Sequence, residues 1–155
     1  LEALVQQLLV TRIGGRSVGW TTAGLEEISA MPQLFALAQS FPHLLATAFM
    51  RGRLITVVDT ASLIGERVES VARRLLLRMA PPFSHLAFAV PAIEGVFPFQ
   101  ELELREENAE GIWAGVYPWE DTWVSVIRPV AAAAELGREM AMAIRNPTTG
   151  REHAS

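Results

Sequence analysis

The 155-residue chain contains no cysteine, which excludes disulfides, thiolate nucleophiles and Cys-based metal sites. It also has no lysine: all 13 basic side chains are arginine, dispersed among 17 acids, for a net charge of −4. Nucleic-acid binding draws its affinity from clustered positive charge that displaces counterions, and this composition does not supply it. Apolar runs such as 44–50 and 130–134 fall far short of the roughly 20 residues of a membrane span, and no signal-peptide pattern is visible. No direct membrane insertion is expected. Together with the missing cysteine, this gives an expected cytoplasmic location. The three histidines, His43, His85 and His153, lack ligand-like spacing. There is no Gly-x-Ser-x-Gly elbow, Walker loop or Gly-x-Gly-x-x-Gly fingerprint. The expectation is therefore a chain without catalytic residues, cofactor or metal.

What is present is apolar. Half of the residues are hydrophobic and only 19% are charged. A chain of this length folds as one domain, burying about 70% of its unfolded surface. So apolar a composition leaves hydrophobic surface for a partner.

Turn signals divide the chain into short strands. Residues 4–13 and 17–22 flank Gly14-Gly15, which supplies the positive φ angles of a tight hairpin. Residues 25–30 form a third strand, ended by Pro32, and 34–40 are read as a helical turn. The runs 44–50 and 54–59 flank Arg51-Gly52-Arg53. Asp59 or Thr60 caps a short helix that ends at Gly65. Beyond a polar connector at 66–70, strands are expected at 73–79, 85–90, 93–99, 112–117 and 122–128. Pro81-Pro82 and Glu120-Asp121 mark turns. Residues 100–111 carry five Glu and read as a solvated loop. Residues 130–145 form a helix with Leu136, Met140 and Ile144 on one face, followed by a flexible tail at 146–155. About five short strands in each half argue for small barrels or a sandwich.

The order of these elements resembles the CheW-like family. Four segments carry the resemblance. The first is Leu9-Val10-Thr11-Arg12-Ile13-Gly14-Gly15, followed by Leu25-Glu26-Glu27-Ile28. The second and most specific runs from Phe41-Pro42-His43-Leu44-Leu45 through Met50-Arg51-Gly52-Arg53 and Val57-Val58-Asp59 to Leu63-Ile64-Gly65. The third is 86–90 with Ile93-Glu94-Gly95-Val96. The last is Ile112-Trp113-Ala114-Gly115-Val116 with the closing strand 123–128. The resemblance spans about 4–130. The chain departs from the family pattern at Phe49, where Asn is common, and at Pro91 and Arg128, where acidic residues are common. Its Ala-rich last helix stands where the family has a Leu-rich one.

This resemblance implies an all-β fold of two small five-stranded SH3-like β-barrels packed together, plus a C-terminal helix. Residues 1–145 would form a single domain. The first barrel would lie at about 14–65 with strand 4–13 shared or swapped, the second at about 71–128, and the helix at 130–145. It further implies a non-catalytic adaptor joining the cytoplasmic tip of a chemoreceptor to the regulatory domain of a CheA-type histidine kinase. Two other readings stand beside it. One is an adaptor of a pilus-type chemosensory system or a regulatory fragment of a larger kinase. The other is a small-ligand-binding β-barrel or enzyme, which would need a closed polar pocket.

The partner-binding candidates are Trp20, Glu27, Ile28, Phe49, Arg51 and Arg53. The resemblance places an Arg–Glu pair at Arg51 and Glu27 near the receptor-contacting region. A partly buried Arg needs a carboxylate that fits its planar fork, so the pair serves either a partner or the pinning of a strand to a turn. Trp20 has two readings, core packing and a hot spot on an adaptor groove. Trp113, Tyr117, Trp119 and Trp123 crowd one hairpin. A regular strand puts Trp113 and Tyr117 on one face, with Trp119 in the turn. Met140 and Met142 on the last helix face either the chain's own core or another chain.

Overall fold

The computed structural model describes residues 6–68, 75–107 and 109–145. Ten strands form two five-stranded sheets. One sheet takes β3 (Leu25–Ala30), β4 (Leu44–Met50), β5 (Arg53–Asp59), β6 (Leu75–Met79) and β7 (Leu86–Val90), in the order β3-β6-β7-β5-β4. The other takes β1 (Gln7–Ile13), β2 (Arg16–Thr21), β8 (Ala92–Pro98), β9 (Trp113–Trp119) and β10 (Thr122–Ile127), in the order β8-β1-β2-β10-β9. A short helix α1 (Thr60–Ile64) follows β5, and α2 (Pro129–Arg145) follows β10. At α1 the expected caps are in place. The Ser62 N–H donates to the Asp59 side chain, and Gly65 turns the chain with φ of 78°.

The two sheets share one topology. Each contains a single parallel pair, β5 with β7 and β10 with β2, among antiparallel neighbours. The second sheet is completed by the N-terminal hairpin, which slots between β8 and β10. The strands are therefore not divided at 14–65 and 71–128 as the sequence suggested. β1 and β2 join the C-terminal strands, while β6 and β7 belong with β3, β4 and β5. The reason is burial. All five residues of β7 are buried, so it must be a central strand covered on both faces.

Alternation along the strands sorts the apolar side chains into three clusters. Leu8, Val10, Phe99, Tyr117, Val124 and Val126 fill the concave face of one sheet. Ala48, Met50, Ile55, Val57, Leu76, Ala87 and Ala89 fill that of the other. The largest cluster joins the opposite faces of both sheets, with Leu9, Trp20, Leu77 and Phe88, and is covered by Ala132, Ala133 and Leu136 of α2. Leu136 is buried and Met140 half-buried, whereas Met142 is exposed; the Ile144 side chain lies outside the described residues. The readings for 1–5, for 69–74 and for the tail at 146–155 also fall outside them.

Both sheets curl without closing. The edge strands β3 and β4 share no ladder, nor do β8 and β9, so these are not closed barrels. Side chains bridge each seam instead. On one sheet Phe97 of β8 stacks on Trp119 of β9 at 5.2 Å and on Tyr117 at 6.5 Å. On the other, Glu27 of β3 meets Arg51, which follows β4. Outer edges are partly covered as well: Phe35 exchanges two backbone hydrogen bonds with Thr47, and Arg105 does so with Val116. The segment expected as a helical turn at 34–40 is therefore extended at Phe35, because its backbone pairs with β4.

Two aromatic readings are also corrected. Trp119 ends β9, paired with Thr122, and the turn is Glu120-Asp121 alone. Trp113 and Tyr117 pack into different clusters, because a register shift at Gly115 turns the strand between them.

Candidate protein-docking surface

The hairpin β4–β5 builds the site. Its turn needs a left-handed residue, and Arg51 takes that conformation with φ of 52°, ahead of Gly52 at 77°. This aims the Arg51 side chain across the seam to β3. Its Nε donates to Glu27 Oε2 at 3.1 Å, and its second nitrogen lies 3.0 Å from the same oxygen. The other carboxylate oxygen of Glu27 accepts from Nε and a terminal nitrogen of Arg78, at 3.3 and 3.2 Å. Register explains this second contact, since Glu27 of β3 stands opposite Arg78 of β6. Arg78 is buried and Arg51 is largely exposed, so one carboxylate links an inner and an outer guanidinium. The sequence reading missed Arg78. Its signal was a lone charge inside the apolar run 75–79, which demands a carboxylate partner.

The Arg51 hydrogen bond is the largest influence on Glu27, and with Arg78 it outweighs desolvation to hold the carboxyl below its ordinary value. Glu27 in turn raises Arg51. A carboxyl lowered in the fold contributes stability that is present above its unfolded value and lost as pH falls through the folded one. In carboxyl-carbon NMR, Glu27 should titrate below a glutamate in an unfolded reference peptide, and Arg51→Ala should move its midpoint back up. A Glu27 midpoint unmoved by Arg51→Ala would sink this assignment.

Exposed apolar side chains flank the ionic bridge. Phe49 and Leu54 stand opposite each other one pair back from the turn, and are 59% and 58% exposed. The Phe35 ring meets Phe49 edge-on at 6.0 Å. Following the register across the sheet from Phe49 and Leu54 through Thr56, Leu86, Phe88 and Leu77 leads to Ile28 on the same face. Ile28 is exposed too. The curl that joins Glu27 to Arg51 thus sets Ile28 and Phe49 on the convex face at the two sides of one seam. Arg53 is exposed near the turn and donates to Ser84 at 3.4 Å.

Four of the six sequence candidates, Glu27, Ile28, Phe49 and Arg51, therefore gather at this seam, and Arg53 lies beside the turn, hydrogen-bonded to Ser84. Trp20 is at neither place. It is fully buried, 5.0 Å from the Phe88 ring, and donates from Nε1 to Thr11 Oγ1 at 3.0 Å. It offers no surface to a partner, because alternation along β2 points it into the central cluster.

A second polar group ties α2 down. His43 Nδ1 is 2.7 Å from Ser62 Oγ, and its Nε2 is 3.5 Å from Glu139. This links the start of β4, α1 and α2, elements that the sequence reading left unconnected. Among the described residues no group of three or more His, Asp or Glu is placed to hold a metal ion. None of their helices is long and apolar enough to cross a membrane.

No family profile matches the chain. No curated protein matches it either. Among solved structures it is similar to the scaffolding protein TtCheW from Thermoanaerobacter tengcongensis, with a TM-score of 0.70 and 15% sequence identity, over 80% of this chain and 89% of that one. The chain has the CheW-like fold.

Proposed function

We propose that this chain is a non-catalytic chemosensory adaptor, which couples chemoreceptors to a CheA-type histidine kinase through protein–protein contacts. The observation that carries the reading is the exposed apolar seam of Phe35, Phe49, Leu54 and Ile28 around the Glu27–Arg51 bridge, on a scaffold of CheW-like fold. Clustered exposed aromatic and aliphatic groups rimmed by charge are the anatomy of a docking site. The ionic bridge supports it by fixing the hairpin before a partner arrives, so less freedom is lost on binding. Function then consists of holding two partners at defined surfaces. Receptor tip and kinase regulatory domain are the partners proposed, at the cytoplasmic face of receptor arrays.

The test is calorimetric titration against the regulatory domain of each CheA-type kinase from the same genome. Saturable binding at micromolar strength or better, about −8 kcal/mol, is expected for one of them. Phe49→Asp should weaken receptor or kinase binding about tenfold or more, and Arg51→Ala should weaken it too. Absence of heat with every kinase domain and every receptor tip, or full affinity in a folded Phe49→Asp, Arg51→Ala chain, refutes the reading.

A further inference from the structure

Gly137 sits in the interior of α2 and answers no packing demand there. The position is exposed, and a Cβ built on it meets nothing within 4 Å beyond the helix's own backbone. An interior glycine weakens a helix relative to alanine, because it gives up more backbone freedom on folding. This weak point divides α2 into two unlike halves. The first is anchored: Ala132, Ala133 and Leu136 are buried in the central cluster, and Pro129 lies against Gly24. Of the described side chains beyond Gly137, only Glu139 and Met140 are partly covered, while Arg138, Ala141 and Met142 are exposed.

The second half is held through a relay of side chains. Ser62 Oγ lies 2.7 Å from His43 Nδ1, and His43 Nε2 lies 3.5 Å from Glu139 Oε1. A neutral imidazole carries one N–H and one acceptor nitrogen. With the Ser62 hydroxyl donating to Nδ1, the proton sits on Nε2 and faces the Glu139 carboxylate. Ser62 of α1 thereby orients the group that holds α2. The closed state carries two costs of its own. His43 is a non-glycine residue in the left-handed region, with φ of 64°. The other carboxylate oxygen of Glu139, Oε2, is buried with no hydrogen-bond partner among the described residues, and it regains water when the helix lifts. We propose that α2 is a two-part lid. Residues 129–136 stay docked, and the segment from 138 onward swings about Gly137, latched shut by Ser62, His43 and Glu139. Opening uncovers the margin of the central cluster beside the latch, where the half-buried Leu44 and Leu63 follow His43 and Ser62 in the chain. This inference goes beyond the adaptor reading and is independent of it, since only the chain's own latch takes part.

Because the chain has no cysteine, spin labels can be placed at chosen sites and their separations read by double electron–electron resonance. Ala141→Cys with Val96→Cys reports the second half of α2 against the sheet, and Ala134→Cys with Val96→Cys reports the first half; all three positions are exposed. The expected result is two distance populations for the Ala141 pair and one for the Ala134 pair. Gly137→Ala should shrink the open population about fivefold, the equivalent of about 1 kcal/mol of helix propensity. His43→Asn keeps a residue type suited to the left-handed backbone but removes the proton that faces Glu139, and should enlarge the open population about threefold or more. Ser62→Ala, a change on α1, should enlarge it as well. If His43→Asn fails to fold, Ser62→Ala carries the test. Amide exchange in the unlabelled chains should follow the same order at 139–143 and stay unchanged at 132–136. A single distance population for the Ala141 pair in every variant overturns the proposal, as does equal broadening of the Ala134 pair, which means that the helix lifts whole. An open population indifferent to His43→Asn and Ser62→Ala also overturns it, because simple fraying of a helix end gives that result.

Discussion

Trp20→Ala should lower the unfolding free energy by about 3–5 kcal/mol, the range for truncating a large aromatic in a well-packed core. Trp20 has no exposed surface and packs among Leu9, Val18, Leu77 and Phe88, where both sheets meet under α2. The cavity would open at the junction on which the whole arrangement depends, with no solvent-facing side through which neighbours could relax. A polar component adds to it. Trp20 Nε1–H is the donor to Thr11 Oγ1, and that hydroxyl in turn donates to the Val18 carbonyl. Trp20→Phe keeps much of the apolar volume but strips Thr11 of its donor, and should cost about 1–2 kcal/mol from that loss and the smaller ring. Urea denaturation of the three proteins checks both figures. Trp20→Ala costing less than about 1 kcal/mol would place Trp20 outside the central core.

What was legible in the chain was local. The hairpins at Gly14 and at Arg51-Gly52, the helix cap at Asp59 and the strands 25–30 and 44–50 follow from turn chemistry and two-residue alternation, which act between neighbours. Which strands share a sheet was not legible. The parallel pairs β5 with β7 and β10 with β2 join segments whose register no turn sets, and the N-terminal hairpin inserts far from its own sequence neighbours. Phe35 eludes a local reading for a related reason: its backbone partner Thr47 lies beyond Pro42, in a stretch without periodicity.

The seam was half legible. Glu27 and Arg51 came from a family likeness, and Ile28 and Phe49 are both exposed. Arg78 was hidden because it looks like an interruption of a strand. Only the β3–β6 register shows that it shares the carboxylate of Glu27. Trp119 was assigned to a turn on the strength of the Glu120-Asp121 signal. The structure instead uses it as the stacking partner of Phe97 across a seam that no sequence pattern announces.

Gly115→Ala should be the most damaging glycine-to-alanine change among the described residues. Gly115 sits in β9 with φ of 142°, a backbone region that side-chain-bearing residues avoid. A Cβ built there would come within 2.1 Å of the Arg105 carbonyl oxygen and 3.2 Å of the Glu106 Cα. Both are backbone atoms, and neither can rotate away. The Arg105 backbone is fixed by its two hydrogen bonds to Val116, at 2.9 and 2.8 Å. Either the strap at Arg105 must leave the β9 edge, or β9 must give up the register shift that separates Trp113 from Tyr117. Backbone strain of about 1–3 kcal/mol adds to an overpacking term of similar size, so a loss of about 2–6 kcal/mol is expected. The way it is lost matters for the surface. If the strap is what yields, Arg105 leaves the Trp123 ring and the β9–β10 tip is altered, whereas the Glu27–Arg51 bridge on the other sheet is untouched. Amide hydrogen exchange on the variant separates the two outcomes. Faster exchange at Arg105 and Val116 with normal protection in β4 and β5 identifies strap release, and uniform loss of protection identifies collapse of the central cluster. A variant as stable as the parent, with Arg105 and Val116 still protected, would show that the close approach of Arg105 to Gly115 does not hold in solution.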